Sequence, residues 1–368
     1  MADENLTRLI GDPKELIVER AISEVRSGRP VLLSAPGALY LVMSPETMDD
    51  EMLEAGRAIS AAEPRLVLSQ PRLRQLGHLS EEPGIVPVNG MNIAEIDELV
   101  AHAEIHLNGH APQAADEIDR AALDLMHLAF LLPTAIVLKL AREHSEAVSN
   151  LVSIDPAALR DYSEHVLTTP HIVSRAPVPL DDVGDTEFVV FRGGQGMRDQ
   201  VAVIIGRPKP TEPVYVRMHS ACLTGDLFGS LKCDCGDQLR GTVQFMAENG
   251  GGVLLYLDQE GRGNGIANKI RAYRLQHAGY NTFDADAILG FDHDQRRFDF
   301  AAAILKQLGY HEIKLITNNP TKVHSLRDSG LDVVSHHRAK GRLTRQNLAY
   351  LAAKRDHAGH IIEEDLKL

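Results

Sequence analysis

The second half of the chain alternates short apolar runs with segments in which apolar residues recur every three or four positions. Apolar runs bounded by turn residues predict strands, and the helical period predicts helices. The predicted strands are 213–220, 252–259, 312–317 and 331–336, and the predicted helices are 236–250, 266–279, 298–309 and 321–330. This alternation is typical of an α/β domain with a largely parallel sheet.

The first part of the chain also mixes the two patterns. It predicts, in order, a helix, a strand, a helix and a strand over 13–28, 29–35, 47–61 and 64–70. Segment 171–187 is rich in Pro and Asp and has no helical period, which predicts a linker. We therefore expect two domains, an α+β domain over residues 1–170 and an α/β domain over residues 188–368.

Polar turns follow two of the predicted strands in the second half. The turn "DQEGRGNG" occupies 258–265, and "TNNPTK" occupies 317–322. Ligands of α/β domains bind beyond the carboxyl ends of strands, and glycine-rich turns before helices expose N–H groups to anions. Arg262, Lys269 and Arg271 add positive charge near the first turn. A short glycine loop is by itself more often a simple turn, and this one is not a Walker A loop.

The charge and hydropathy of the chain limit its partners. The net charge is −13, whereas non-specific nucleic-acid binding needs a basic surface, so we expect no nucleic-acid partner. An anionic small molecule needs only a local basic pocket and stays possible. The longest apolar stretch is too short to span a bilayer and the N-terminus is acidic and polar, so we expect a cytoplasmic protein without membrane contact.

All three cysteines of the chain, Cys222, Cys233 and Cys235, lie in one short polar stretch. A disulfide framework is not expected in a reducing compartment, and three buried apolar thiols are the simpler alternative. The polar, turn-like sequence around "CDCGD" favours metal binding instead. Thiolates favour zinc, and three ligands with one open position are typical of a catalytic site. His219 is a candidate fourth ligand that would close the site, and this alternative stays open.

Three further groups of residues each have a simpler structural interpretation. The charged stretch 289–298, which includes Asp294 and Arg296, is by itself most simply a solvated loop. The stretch 317–322 is most simply an Asn-capped turn, and Tyr273 a packed aromatic residue. Only their combination with a cluster of three cysteines favours a catalytic site.

Five stretches of the chain are informative together: "HSACLTGDLFGSLKCDCGDQL", "DQEGRGNGIANKIRAYRLQ", "GYNTFDADAILGF", "TNNPTKV" and "NLAYLAAKRDHAGH". In their order and spacing they resemble GTP cyclohydrolase II, the first enzyme of riboflavin synthesis. The resemblance covers roughly residues 175–362. The resemblance implies hydrolysis of GTP to 2,5-diamino-6-ribosylamino-4(3H)-pyrimidinone 5′-phosphate, formate and pyrophosphate. It also implies one Zn²⁺ per subunit, Mg²⁺ bound with the triphosphate, and a homodimer.

The resemblance further implies roles for individual residues. Cys222, Cys233 and Cys235 correspond to zinc ligands, and the catalytic positions are Asp294 as proton acceptor, Arg296 as nucleophile toward the α-phosphate and Tyr273 near the ring-opening chemistry. Positions that contact GTP are Arg217, Met218, His219, Ser220, Ala221, Gln238, Glu260, Gly261, Arg262, Thr282, Thr317 and Lys322. A guanidinium with a pKa above about 12 has no free lone pair, so chemistry favours a charge clamp for Arg296, with Asp294 orienting or activating water.

Two residues depart from the family's motifs. Ala221 replaces a glutamate, and Asn264 replaces an apolar residue. Both keep open a variant enzyme that retains the formyl group or acts on another nucleotide. A non-catalytic zinc- and nucleotide-binding regulator is a further alternative, against which the intact cysteines, Asp294 and Arg296 argue.

The first 170 residues resemble 3,4-dihydroxy-2-butanone 4-phosphate synthase, which precedes the cyclohydrolase in fused bacterial proteins. The stretches "SGRPVLLSA…YLVMSPETM" and "AALDLMHLAF" carry this resemblance. That enzyme needs an acidic, arginine-containing loop, yet the expected loop 34–43 contains no acid, and 116–126 lacks the family's metal-binding histidine. We therefore expect a degenerate, non-catalytic domain kept for dimerisation, stability or regulation, rather than a bifunctional enzyme.

Overall fold

The protein forms two compact units. The computed structural model describes residues 11–107, 111–165, 170–181, 183–193, 199–292, 296, 298–339, 341–348, 351–352 and 355–356. The first unit comprises 1–165 together with 270–275 and 284–293, and the second comprises 166–269, 276–283 and 294–368. Two short segments from the second half of the sequence thus belong to the first unit. In the described part of the chain, no helix combines the length and apolar character needed to cross a membrane.

The first unit contains a seven-stranded sheet in the order β5-β4-β3-β6-β2-β1-β7. Its strands are β1 (Val31–Ala35), β2 (Ala38–Met43), β3 (Arg65–Leu68), β4 (Gly84–Pro87), β5 (Gln113–Ala114), β6 (Thr134–Lys139) and β7 (Ser153–Ile154). Its helices are α1 (Pro13–Arg26), α2 (Asp50–Ile59), α3 (Gln70–Gln75), α4 (Ile93–Ala101), α5 (Glu117–Leu128) and α6 (Pro156–His165). Every neighbouring strand pair is antiparallel except β1 with β7, which makes this an α+β unit, as predicted.

Side-chain caps fix where the helices of the first unit begin. Asp12 accepts a hydrogen bond from the backbone N–H of Lys14 at 2.8 Å, immediately before α1. The helix predicted from residue 47 begins only at Asp50, because Asp49 caps it by accepting from the N–H of Met52. Residues 45–47 form a separate turn of 3₁₀ helix.

The segment 34–43 is a hairpin, not the loop that the sequence predicted. Residues 38–43 form β2, which pairs antiparallel with β1 so that Ala35 lies opposite Ala38. Pro36 and Gly37 are therefore the whole turn. Proline presets φ for the first central position, and Gly37 supplies the positive φ of 73° that the second requires. The segment therefore contains neither acidic side chains nor the loop that was expected to carry them.

The second unit contains a mixed seven-stranded sheet in the order β14-β13-β11-β12-β10-β9-β8. Its strands are β8 (His171–Pro177), β9 (Thr186–Arg192), β10 (Gln200–Ile205), β11 (Val214–Ser220), β12 (Gly252–Leu257), β13 (Glu312–Ile316) and β14 (Asp332–His337). The pairs β11/β12, β11/β13 and β13/β14 are parallel, whereas β8, β9 and β10 add antiparallel pairs. The sheet is less parallel than predicted, because short connections join β8, β9 and β10 and cannot cross over the sheet.

The first part of the predicted linker 171–187 is strand β8. Residues 171–177 pair antiparallel with β9 and form the edge of the sheet. All seven residues are exposed, so the strand has no alternation of buried and exposed positions that a sequence pattern can reveal. Its last residue is Pro177, which an edge strand tolerates.

The second half of the chain contains the helices α7 (Leu223–Asp226), α8 (Cys235–Glu248), α9 (Ile266–His277), α10 (Thr282–Ile288), α11 (Asp299–Gln307) and α12 (Pro320–Asp328). Residues 270–275 of α9 and 284–288 of α10 belong to the first unit, whereas α8 and α11 pack on the two faces of the second sheet. On one face Val216 and Met218 pack with Ile304 of α11, and on the other Leu254 packs with Met246 of α8. Because side chains alternate along β11, Tyr215, Arg217 and His219 lie on the α8 face.

We expect Leu255→Ala to destabilise the second unit by about 2–5 kcal/mol, because it leaves a cavity in a close-packed core. Leu255 is fully buried on β12. Val334→Ala on β14 is the matched control, since Val334 is 45% exposed and its truncation should change stability by less than about 0.5 kcal/mol. Urea unfolding followed by circular dichroism measures both, and equal losses would contradict this account of the core.

Candidate active site

Three parallel strands end at one edge of the second sheet. Ser220 at the end of β11 lies opposite Leu257 at the end of β12, and β13 runs parallel on the other side of β11. The chain leaves these strands at Ala221, Asp258 and Thr317. The two polar turns singled out in the sequence therefore meet the cysteine segment at this edge, as the strand pattern predicted.

The three cysteines form a compact cluster at this edge. Their Sγ atoms all lie within 4.8 Å of one another, and those of Cys222 and Cys233 are 3.6 Å apart. Cys222 lies just after β11, and Cys235 is the first residue of α8. Among the described residues, this is the one group of three cysteine, histidine or acidic side chains close enough to hold a metal ion.

The backbone approaches the cluster closely at Gly225, where there is no room for a side chain. A Cβ on Gly225 would lie 2.7 Å from Sγ of Cys233 and 2.9 Å from Sγ of Cys222. The N–H of Gly225 also donates to Sγ of Cys222 at 3.3 Å. A dense set of soft donors in a glycine-lined cradle fits a zinc-type ion.

The cluster stabilises a thiolate at Cys222. Hydrogen bonds from Cys233 and Cys235, together with the ammonium of Lys269, hold the pKa of Cys222 well below its ordinary value. The same hydrogen bond to Cys222 raises the pKa of Cys233. Nζ of Lys269 lies 3.0 Å from Sγ of Cys222 and 2.7 Å from Oε1 of Glu260. Lys269 was predicted only as a positive charge near the glycine-rich turn, and its contact with a cysteine was not predicted.

His219 is not a fourth member of the cluster. Its Nε2 lies 3.0 Å from Oδ2 of Asp226, and its ring stacks on Tyr256 with centroids 5.6 Å apart. Burial lowers the pKa of His219, so the ring is neutral near pH 7. The side chains close enough to share one metal ion are those of the three cysteines and do not include His219, whose Nε2 is paired with Asp226.

Asp226 joins three parts of the site and was missed by the sequence analysis. Besides His219, it accepts hydrogen bonds from the N–H of Cys222 at 2.9 Å and from the hydroxyl of Tyr256 at 3.1 Å. It therefore fixes the backbone at a cysteine and the orientation of a neighbouring imidazole. Its position four residues after Cys222, at the end of the short helix α7, was the available signal.

Buried polar contacts hold Arg217 beneath the strand edge. Its guanidinium donates to the carbonyl of Ile316 at 3.0 Å and to Oε1 of Gln238 at 2.6 Å. The side-chain amide of Gln238 donates in turn to Asp234. Burial lowers the pKa of Arg217 to about 10, so it keeps its charge at neutral pH. Arg217 and Gln238, both expected in the site, are thus directly bonded.

Two more cations lie at the end of β11. Nζ of Lys322 donates to the carbonyl of Met218 at 2.8 Å and lies 5.1 Å from the ring centroid of Phe298. The guanidinium of Arg296 is 5.6 Å from the same centroid, and its NH1 is 3.5 Å from Oγ of Ser220. The side chain of Met218 itself belongs to the core, so only its carbonyl reaches toward the site.

The turn after β12 is held in an unusual backbone conformation. Gly261 and Arg262 both have φ of 62°, which is uncommon for a residue with a side chain. The Arg262 guanidinium lies 4.1 Å from the ring centroid of Phe283. The carboxylate of Glu260 accepts from the N–H of Leu223 at 3.0 Å, which ties this turn to the cysteine segment. Such local strain is often found at functional sites.

The remaining expected residues are distributed as follows. Thr317 accepts from the N–H of Asn319 at 3.0 Å within the turn after β13, and Ala221 donates to the carbonyl of Leu257 at 2.7 Å. Thr282 begins α10 and accepts from the side-chain amide of Gln276 at 3.4 Å.

Two of the expected catalytic residues are not among the described residues of the second unit. Tyr273 lies in segment 270–275, which belongs to the first unit, whereas the three cysteines belong to the second. Asp294 lies outside the described residues. Asn264, one of the departures from the motif, is buried, and its side-chain oxygen has no hydrogen-bond partner among the residues that the structure describes.

A cluster of three thiols that could hold a metal ion lies beside buried cations at the carboxyl edge of parallel strands, which is typical of α/β enzymes. A family model for GTP cyclohydrolase II matches residues 171–338. A GTP cyclohydrolase-2 of Xylella fastidiosa (strain Temecula1 / ATCC 700964) is 42% identical over 96% of this chain and 89% of its own length. One from Azospirillum brasilense is 37% identical over 94% and 93%. The chain belongs to the GTP cyclohydrolase II family of enzymes, which confirms the resemblance stated from the motifs.

A solved structure also aligns with most of the chain. It is RibBX, a two-domain 3,4-dihydroxy-2-butanone 4-phosphate synthase from A. baumannii, with 16% identity and a TM-score of 0.34. The alignment covers 88% of this chain and 99% of that structure. At this TM-score the likeness supports no further conclusion.

We expect Gly225→Ala to reduce the metal content of the purified protein several-fold, because the added methyl group displaces the thiols of Cys222 and Cys233. Gly241→Ala on α8 is the matched control, since a Cβ there meets nothing within 4 Å. Elemental analysis after metal loading measures the difference. Equal metal content in both variants would show that the cradle does not constrain the cluster.

Proposed function

We propose that this protein hydrolyses GTP at a zinc centre to 2,5-diamino-6-ribosylamino-4(3H)-pyrimidinone 5′-phosphate, formate and pyrophosphate, the first step of riboflavin synthesis. The observation that carries the proposal is the cluster of three cysteines at the same strand edge as Arg217, Arg296 and Lys322. Thiolates supply the ligands that zinc prefers, and the cations suit a triphosphate. Membership in the GTP cyclohydrolase II family supports the same substrate.

Cys222, Cys233 and Cys235 would hold the zinc ion. When bound, zinc supplies a Lewis acid that lowers the pKa of water at its open position to about 7. Among the described residues, no fourth cysteine, histidine or acidic side chain lies close enough to join the three cysteines around one ion. Lys269 compensates the negative charge of the thiolates through its contact with Cys222.

The guanine ring is opened at C8, an electron-poor carbon between two nitrogens. One water molecule cleaves the C8–N9 bond and leaves a formamide, a second releases formate, and a third cleaves the bond between the α- and β-phosphates. The buried, neutral ring of His219 has an Nδ1 without a hydrogen-bond partner in the described part of the protein. We assign this nitrogen a hydrogen bond to the substrate, with the ring held by Asp226.

The triphosphate is bound by cations that the fold holds in position. Arg217, Arg262 and Lys322 supply charge at the ends of β11, β12 and β13, and Mg²⁺ accompanies the triphosphate. Arg296 acts as a charge clamp on the α-phosphate, because its guanidinium stays protonated. Two further roles stay predictions. Asp294 is expected to orient or activate water, and Tyr273 is expected to lie near the ring-opening chemistry.

The first unit is proposed to be non-catalytic. Its hairpin at 34–43 carries no acidic side chain, so it lacks the carboxylates that a sugar-phosphate synthase of this type needs. The domain boundaries near residues 170 and 188, the homodimer and the cytoplasmic location likewise stay predictions.

The proposal is tested by incubating the zinc-loaded protein with GTP and Mg²⁺. Mass spectrometry should find the diaminopyrimidinone phosphate, with formate and pyrophosphate in equal amounts, and Cys235→Ser should lose both zinc and turnover. A formylated product would instead indicate the variant enzyme and direct attention to Ala221 and Asn264. No turnover with zinc bound would favour a regulator or another substrate. Formation of butanone phosphate from ribulose 5-phosphate would overturn the non-catalytic first unit.

We expect Arg296→Lys to lower kcat by about 10²–10³-fold, because a single ammonium replaces a preorganised fork of donors. Arg207→Lys is the matched control, since Arg207 is exposed and pairs with Asp185. Rapid acid quenching of the wild-type enzyme should reveal no guanylyl group attached to the protein. A guanylyl adduct on Arg296 would establish the nucleophile role instead of the clamp.

A further inference from the structure

The first unit contains a buried arginine with no role in the chemistry above. Arg72 on α3 is 2% exposed. Its guanidinium donates to the carbonyls of Glu98, Leu99 and His102 at the end of α4, at 2.7–3.1 Å. It also donates to the carbonyl of Ile288, the last residue of α10, at 3.0 Å. One cation thus stabilises the negative ends of two helix dipoles.

The turn after α10 is fixed by a second contact from α3. Ser69 stands at the N-cap of α3, yet its hydroxyl makes no cap and instead donates to the carbonyl of Gly290 at 2.6 Å. Gly290 has φ of 84°, and a Cβ there would lie 2.8 Å from Oγ of Ser69. The N–H groups of Gly290 and Phe291 close the helix end in a Schellman pattern. The close approach requires glycine for two independent reasons.

A third contact of the first unit reaches α9. Glu46 forms an ion pair with Arg271 at 2.5 Å, and the same carboxylate accepts from the N–H of Leu132. The side chain of Glu46 is only 11% exposed, so the pair is partly shielded from water. Arg271 precedes Tyr273 by two residues on the same helix.

We propose that Glu46, Ser69 and Arg72 are positioning residues for the cyclohydrolase reaction. They fix the two segments, 270–275 and 284–293, that belong to the first unit although they lie within the family-matched half of the sequence. The first segment contains Tyr273, and the second leads within a few residues to Arg296. Both segments are thereby anchored within the first unit. This inference rests on the proposed function.

Anchoring the two segments restricts the conformational freedom of their backbone. Gly290 is six residues before Arg296 in the sequence, so an anchored carbonyl there limits the conformations open to the intervening chain. A misplacement of about 1 Å at a reacting group can lower a rate by about 10²-fold. Arg217 and Lys322 are held by contacts of their own within the second unit. Loss of the anchors should therefore reduce kcat more than it changes KM for GTP.

Ser69→Ala and Arg72→Lys test the proposal against matched controls on or near the same helix. Arg74→Lys and Ser80→Ala are the controls, because Arg74 is exposed and pairs with the Ser80 carbonyl and Glu81. We expect kcat to fall at least about fivefold in Ser69→Ala and further in Arg72→Lys, with KM for GTP and zinc content within about twofold of wild type. The controls should match wild type.

Hydrogen exchange provides a readout that does not depend on turnover. Peptides over 286–298 should exchange at least about fivefold faster in Ser69→Ala and Arg72→Lys, and peptides over 266–277 should do so in Glu46→Gln. Peptides from β11 and β12 should be unchanged in all three variants. Ser69→Ala is the mildest change and keeps the test valid if Arg72→Lys fails to fold.

The outcomes separate the inference from the proposed function. If the wild-type protein turns over GTP and the Ser69 and Arg72 variants only lose thermal stability at unchanged kcat, the positioning role is overturned. If the wild-type protein does not hydrolyse GTP, the proposed function fails, and hydrogen exchange alone then tests whether the two segments are anchored. Unchanged exchange over 286–298 then overturns the anchoring, and faster exchange supports it.

Discussion

The parallel pairing of β11 with β12 and β13 is the constraint on which the rest of the site depends. Parallel strands end at the same edge, so the segments that follow them meet although they are far apart in the sequence. Alternation along β11 then assigns its apolar residues to one face and Arg217 to the other. The same pairing therefore builds a core and delivers cations and thiols to one edge.

Charges at this edge are tolerated because almost every one has a partner. Burial of an ion is unfavourable unless hydrogen bonds or an opposite charge replace its water. Lys269 lies between Cys222 and Glu260, and Asp226 lies between the cysteine backbone and His219. The site is thus organised as linked pairs, so its geometry depends on both members of each pair.

The chain crosses between its two units more than once. Segments 270–275 and 284–293 belong to the first unit, and the sequence that surrounds them belongs to the second. Arg72 and Ser69 bind carbonyls of the second segment, and Glu46 pairs with Arg271 of the first. If the proposed function and the positioning role both hold, a first unit without chemistry of its own is still required, because it fixes these two segments.

The sequence by itself determined the elements of the second half, the cysteine cluster and the polar turns at strand ends. Local periodicity and turn chemistry carry that information, because each depends on residues close together in the chain. It also gave the family, since the motifs keep their order and spacing. Strand β8 was missed because an exposed edge strand has no alternation, and the hairpin at 34–43 was missed because the resemblance led us to expect a loop.

Only the tertiary structure decided what pairs with what over long separations. His219 pairs with Asp226 and is not part of the cysteine cluster, an arrangement that depends on the position of Asp226 at the end of the short helix α7. Arg72 and Ser69 bind backbone carbonyls more than 200 residues away, and every residue has a carbonyl, so no side chain at the accepting positions marks the contact. A sequence encodes its own side chains directly, but the partner of a buried polar group is set by packing.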